Sequence, residues 1–385
     1  MTSAGLARTA LPVSAMVAFA VVTAAVAASA GDTLGYDFLA YHGAARRVIE
    51  GRPVYDLGYQ QAGGFGLFLY PPTFLPLILP FGLLDPAAAT WTWMAAMIVA
   101  LLAGIRLLPV PVTVRWAVLL LAALDWPVAY TIKLGQVTPL LFLLVVLGWR
   151  GLQRSEEGGS AAAAGDRDGR RPSGLDLLGA SAAVGAAIKI QPGLLLAWAL
   201  ATRRWRAVVA GVVVLLALEV VATIPVGLGA WFDYVALIRQ ITDPVTTEHN
   251  VTPGWVARGL GLSLAAAGLV QVAVTVAAVG ALLVSIRRCT PVASFLIAVA
   301  VSQLVSPVLW DHYAMLLLLP VAWLLAQRQW WAVLVPLATS IPLIGVTPLS
   351  AYPVLFVITI AGMLLVGAGP RTVERPGTAR AAPAG

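Results

Sequence analysis

Seven ionisable residues stand in or beside long apolar runs of this 385-residue chain: Asp37, Asp125, Lys133, Lys189, Glu219, Asp311 and His312. A charge in an apolar interior or at membrane depth is costly, so each needs a partner, a water-filled cavity or a chemical task. Lys189, one of two lysines, lies between Ala186-Ala187-Ile188 and Ile190. Its ammonium calls for an anion, and a phosphate group suits it as well as a carboxylate from another helix would. Asp311 and His312 are adjacent where two apolar runs meet. Neighbours on a helix point about 100° apart, so at most one of the two is expected to face a site, and a capping Asp311 beside a bystander His312 is the plain alternative. Asp37 opens a stretch with helical periodicity, where an acid serves either as a helix-starting residue favoured by the dipole or in a chemical task.

The elements that position these residues follow from composition. The chain is 60% hydrophobic and 11% charged, with a mean hydropathy of +0.90. Soluble domains carry about 25% charged residues, so the chain reads as a membrane protein. Period-2 alternation over about ten residues is absent, which leaves helices as the way to satisfy the backbone in lipid. The expected fold is an all-α polytopic bundle of roughly 10 to 12 transmembrane helices. A first helix follows Arg8, and although Ala28-Ser29-Ala30 has the form of a cleavage site, the preceding apolar run is too long for a typical signal peptide and is expected to stay. A polar loop over 31–68 contains a short surface helix from Leu39 to Glu50, its apolar stripe formed by Phe38, Tyr41, Ala45, Val48 and Ile49. Tyr70-Pro71-Pro72 through Leu84 reads as a kinked or partly unwound span, with Pro76 and Pro80 inside it. Loop 151–174, rich in Gly, Ala, Arg and Asp, is cytoplasmic; 227–262 is a second outer loop; residues 1–369 form one membrane domain; and 370–385 are a disordered tail. No internal repeat is visible.

The 24 Lys and Arg against 17 Asp and Glu do not mark a nucleic-acid protein, because the arginines cluster at span ends in the positive-inside pattern. Two of those clusters, Arg150 to Arg171 and Arg203 to Arg206, are separated by a single apolar stretch over 175–202. Either that stretch is a re-entrant hairpin or one cluster is external. The lone Cys289 excludes an internal disulfide or a cysteine metal site. Asp166-Arg167-Asp168 has the form of a metal-diphosphate motif but lies in a low-complexity loop, and Glu248-His249 lacks a second histidine at helical spacing. Asn250-Val251-Thr252 matches a glycosylation acceptor.

Several runs in order resemble a known family: Tyr36-Asp37-Phe38 with Tyr41 and Ala44-Ala45-Arg46, Gly51-Arg52-Pro53-Val54-Tyr55, Tyr70-Pro71-Pro72, Gly135-Gln136, Ala187-Ile188-Lys189 with Pro192, and Ser306-Pro307 with Asp311-His312. Together they resemble glycosyltransferase family 87, which contains polyprenyl-phosphate-mannose-dependent alpha-mannosyltransferases; His42 stands where a tyrosine or another polar residue is expected. The resemblance implies a GT-C-type membrane enzyme of the cell membrane, with its active site on the extracytoplasmic face. It implies a polyprenyl-phosphate sugar donor, a lipid or glycan acceptor, and Asp37 as catalytic base. Lys189 and His312 would bind the donor phosphate, with Tyr41, Tyr70, Gln136 and Asp311 lining the site. A phosphate leaves as a stable anion, so one carboxylate suffices where a glycosidase needs two, and neither cofactor nor metal is called for. The competing reading is a transporter or lipid flippase using Lys189 and Asp311 as a polar path.

Overall fold

The structure, a computed structural model, describes residues 3–58, 66–163, 174–247, 250–340 and 348–368. Asp166-Arg167-Asp168, Glu248-His249 and the tail 370–385 lie outside them. Among the described residues there is no strand. Four of the described helices are long and apolar enough to cross a membrane: α1 (Ser3–Ala30, its apolar part from Ala10), α4 (Pro86–Leu107), α10 (Trp205–Val226) and α13 (Leu264–Arg288). A fifth crossing is added if α5 (Val112–Leu124) and α6 (Trp126–Leu134), bent by 66°, are counted as one. Pro127 at the start of α6 lacks an N–H to continue α5, which accounts for the bend. The remaining apolar length is broken into pieces of 10–17 residues by Pro and Gly, so an estimate of span number from apolar length alone exceeds the count of long helices. The core is built around α14 (Pro291–Leu304), buried on every face, with α13, the helix Ala351–Gly367, α7 (Thr138–Ala163) and the segment Asp311–Ala326 packed about it.

Helix contacts divide the bundle into two ends. α4 and α7 run parallel, since Trp93 Nε1 donates to the Gly135 carbonyl at 2.7 Å near their starts and Arg150 Nη1 donates to the Leu107 carbonyl at 3.0 Å near the end of α4. At that second end Arg204 pairs with Glu156 at 3.0 Å and Arg206 with Asp176 at 2.9 Å. The described arginines of the two basic clusters therefore share one end, and the stretch between them folds back: α8 (Gly174–Ile188) rises, the chain breaks at Lys189–Pro192, and α9 (Gly193–Ala201) returns. This is the re-entrant hairpin. Gly179 lets it pack tightly on α10, because a Cβ there would overlap the Ala207 carbonyl. Ser294 accepts from Trp198 Nε1 at 2.9 Å and lies 3.0 Å from Ser285, which brings the Arg287-Arg288 end of α13 to the same end.

Residues 31–58 and 66–85 gather at the opposite end. Here the Pro-broken segment departs from its reading as a span: the Tyr70 hydroxyl meets Tyr41 at 2.6 Å, and the Leu84 carbonyl meets His42 Nε2 at 3.1 Å. Tyr41 and His42 are neighbours on α2 (Tyr36–Ile49), so the segment leaves and returns at one level. Its turns, including α3 (Leu75–Ile78), pack on α2 and α10 instead of crossing the bundle. The buried face of α2 is accordingly wider and rotated from the expected stripe: Phe38, Tyr41, His42, Ala44 and Ala45 are buried, while Ile49 keeps 46% of its surface exposed.

Candidate functional site

Two left-handed glycines set the site's backbone. Gly35 (φ 75°) precedes α2 and donates its N–H to the Lys133 carbonyl at 2.8 Å; Gly135 (φ 66°) ends α6. Side chains other than Asn and Asp seldom adopt this conformation, and the two glycines back onto each other with no room for a Cβ at Gly135. Their proximity brings Asp37, in the first turn of α2, beside Gln136. Asp37 does not cap its helix; Gly35 occupies that position.

Gln136, 2% exposed, is the centre of the cluster. Its Nε2 donates to Asp37 Oδ2, and its Oε1 receives Lys189 Nζ at 3.3 Å, Tyr70 at 3.0 Å and Tyr41 at 3.2 Å. The two tyrosine hydroxyls touch each other at 2.6 Å and hold one proton each, so one relays to the other while the second donates to the amide oxygen. Lys189, 7% exposed in the break after α8, has no carboxylate within 4.0 Å among the described residues. Its ammonium lies over the Tyr313 ring at 4.1 Å and the Tyr70 ring at 5.4 Å. These faces offset part of the cost of burying a cation but do not neutralise it.

Asp311 and His312 open a 3₁₀ turn, Asp311–Leu317, and both line the cavity of Asp37, which corrects the expectation that only one faces a site. The extended Trp310 before the turn removes the regular helix on which that expectation rests. Asp311 Oδ2 accepts from Trp126 Nε1 at 3.2 Å, and Oδ1 from the His312 N–H at 2.8 Å. Neither ring nitrogen of the buried His312 has a hydrogen-bond partner among the described residues; Nδ1 stands 3.7 Å from Asp311 Oδ1. Burial raises the Asp37 carboxyl above the usual carboxylate range, an effect opposed by His312, Gln136 and Lys189 and reinforced by Asp311.

Two cavities adjoin here. The first, of about 210 Å³, is lined by Asp37, Gln136, Asp311, His312 and the aromatic faces of Tyr36 and Tyr130. The second, of about 590 Å³, has Lys189 as its one charged lining residue among the described residues, with Gln191, Ser306 and Tyr313, and an apolar wall that includes Ile188, Ile190, Leu194, Ile238 and Val305. Tyr70 and Trp310 line both. Ile190, at 63% exposed, marks the outer rim of the second cavity.

The remaining sequence candidates fall elsewhere. Glu219 is exposed on α10, and Lys133 contributes its backbone carbonyl to Gly35. Asp125, sealed at the α5–α6 bend, accepts from Thr339 at 2.6 Å and lines only a small separate void. Asn250 is fully buried, accepting from the Leu309 N–H at 2.8 Å and donating to the Pro307 carbonyl at 3.1 Å. It is a strut for the strand of chain leading to Asp311, and its burial denies access to a glycosylating enzyme. Sequence reasoning missed Tyr313, Trp310, Trp126 and Tyr130; the run Trp310-Asp311-His312-Tyr313 held the available signal, a polar pair framed by aromatics.

Neither a curated protein nor a solved structure matches the chain. Residues 68–307, more than half of it, match the description of glycosyltransferase family 87, a range that takes in Tyr70, Gln136 and Lys189 and begins after Asp37. The chain, an all-α membrane protein with a buried polar site at one end of its bundle, belongs to glycosyltransferase family 87.

Proposed function

We propose that this glycosyltransferase is a GT-C-type enzyme that moves a hexose, with mannose the first candidate, from a polyprenyl phosphate to a glycolipid or glycan acceptor. The observation that carries the reading is the pairing of one carboxylate and one uncompensated ammonium, Asp37 and Lys189, across Gln136 at the meeting of two cavities. The cavity with Lys189 as its only charge among the described residues and an apolar wall suits an anionic phosphate with an isoprenoid chain. The cavity bearing Asp37 and Asp311 repels an anion and suits a neutral polyol. Positive-inside placement makes the arginine-rich end cytoplasmic, which puts the site on the extracytoplasmic side.

The chemistry runs as a single displacement. Asp37 takes the proton of the acceptor hydroxyl while that oxygen forms its bond to the anomeric carbon, and the carbon–oxygen bond to phosphate breaks with its electron pair leaving on the phosphate. Configuration inverts. Lys189, with His312 beside it, stabilises the growing phosphate charge. A transporter would need a continuous polar path through the bundle; among the described residues the buried acidic, lysine and histidine side chains other than Asp125 lie at the site's end, and the polar groups in the core below them are neutral ones such as Ser285, Ser294, Ser302 and Gln303. The test is transfer in proteoliposomes from radiolabelled polyprenyl-phosphate mannose to a membrane lipid extract, wild type against Asp37→Asn. Transfer by the wild type alone supports reaction and base together. Equal transfer by folded Asp37→Asn removes the base, and inertness with every polyprenyl-phosphate sugar removes the donor class.

A further inference from the structure

The cation is buried in this site and the base is half-buried, yet they do not form an ion pair: no described contact joins the Asp37 carboxylate to the Lys189 ammonium within 4.0 Å. A direct pair would hold the carboxylate in its charged form, weaken it as a base and occupy the ammonium that the phosphate needs. What stands between them is one side-chain amide. A carboxylate only accepts and an ammonium only donates, so the Gln136 amide has one allowed orientation, nitrogen to Asp37 and oxygen to Lys189. The oxygen end is fixed further by Tyr41 and Tyr70. Gln136 occupies Asp37 Oδ2, and no described hydrogen bond uses Oδ1, which is left for the acceptor hydroxyl.

We infer that Gln136 is a positioning residue that aims the Asp37 carboxylate into its cavity and, by standing between the two charges, keeps base and cation apart. The inference rests on the reading of Asp37 as the base. The other titratable groups facing Asp37 are Lys189 from the re-entrant tip, Asp311, His312 and Tyr313 from the 3₁₀ turn, Tyr130 from α6, Tyr70 from the Pro-broken segment and Tyr41 from α2 itself. Only Gln136 makes a hydrogen bond to the carboxylate among these described contacts. Deleting it removes a bond to the charged form and raises the pH at which Asp37 ionises. A bond of that kind corresponds to a displacement of about one to two pH units.

The experiment follows the full-length protein in proteoliposomes. The infrared band of the protonated Asp37 carboxyl, identified by its loss in Asp37→Asn, is titrated in wild type, Gln136→Leu and Gln136→Glu. Leucine keeps bulk between the charges and removes both hydrogen bonds; glutamate keeps the shape and adds a like charge. The midpoint is expected to rise from wild type to Gln136→Leu and further to Gln136→Glu, and the acid limb of the transfer rate to move with it. The loss in Gln136→Leu is expected in kcat more than in the donor KM. Repeating Gln136→Leu in a Lys189→Met background removes the pull of a cation that has moved. A residue that only packs would alter thermal stability and leave the midpoint in place. A folded Gln136→Leu with the wild-type midpoint overturns the inference. A displaced midpoint with an unmoved rate profile supports the hold on Asp37 and refutes Asp37 as the base.

Discussion

Replacing Lys189 by methionine separates a ligand-binding cation from a structural one. In the native protein the ammonium is buried, hydrogen-bonded to one amide oxygen at 3.3 Å and faced by the Tyr313 ring at 4.1 Å. Methionine keeps the volume and discards the charge. If a donor phosphate sits about 4 Å from Nζ, the attraction between unit charges near a protein surface is about 4 kcal/mol at an effective dielectric constant of about 20. At about 1.36 kcal/mol per decade that is roughly a thousandfold. A sugar phosphodiester already carries one negative charge, so part of this loss falls on donor affinity and hence on KM. The second charge develops only as the glycosidic bond to phosphate breaks, and its loss falls on kcat. Thermal stability should move the opposite way, because the substitution deletes a buried, uncompensated charge and leaves no orphaned partner beyond one amide oxygen that two tyrosines still reach. The expected result is therefore a loss of about a thousandfold in kcat/KM for the donor with a melting temperature at or above that of the wild type. The assay is transfer from titrated polyprenyl-phosphate sugar in proteoliposomes, paired with a thermal melt in detergent. A kcat/KM within tenfold of wild type in a protein that melts normally refutes the phosphate role.

Asp37→Asn should lower transfer by about 10²- to 10⁴-fold, the range of a positioned general base. The wild-type rate should climb with rising pH through a midpoint above the ordinary carboxylate range, because burial raises Asp37 and only its charged form accepts a proton; a rate independent of pH from 4 to 8 argues against this. Gly179→Leu should push the re-entrant hairpin off α10 and destabilise the protein by about 1–3 kcal/mol or more, read as a lowered melting temperature, whereas the same change at Gly268, where a Cβ meets nothing within 4 Å, should be close to neutral. The buried Cys289 provides a silent background for topology mapping with a membrane-impermeant thiol reagent. Arg154→Cys and Arg203→Cys should label from one side and Asp32→Cys from the other; opposite labelling of the first two defeats the hairpin.

The class of fold is legible because it rests on sums over the whole chain, and 60% apolar residues with 11% charge leave few alternatives to helices in lipid. The short helix after Gly35 and the break at Lys189 are also legible, since local periodicity and Gln191-Pro192 mark them. What local pattern could not decide was direction. The stretch over 175–202 has enough apolar length to cross once, and only the ion pairs of Arg204 with Glu156 and Arg206 with Asp176 show that it turns back. The Pro-broken segment misleads in the same way, because apolar content reports burial against α2 and α10 as readily as contact with lipid. For the site, residue types singled out Asp37 and Lys189 and the family resemblance added Gln136, but Tyr313 and Trp310 act through their faces, and aromatic rings are too common in apolar chains to single out before their contacts are known.

One physical rule links the residues that converge and separates them from those that do not. Asp37 follows Gly35, Gln136 follows Gly135, Lys189 precedes Pro192, Tyr70 precedes Pro71, and Asp311 begins a 3₁₀ turn a few residues after Pro307. Each stands where a helix stops or starts, and helix ends leave backbone groups that lipid cannot satisfy, so they must meet protein or line a cavity. Breaks in an apolar bundle therefore cluster around the place where polar ligands are admitted. Glu219 has no such break beside it and is exposed on the flank of α10. Asp125 does sit at a break, but Thr339 closes it off and neither of the two site cavities reaches it. A polar residue at a helix break is thus a candidate only when a second and third break meet it, and here the meeting point is the amide of Gln136.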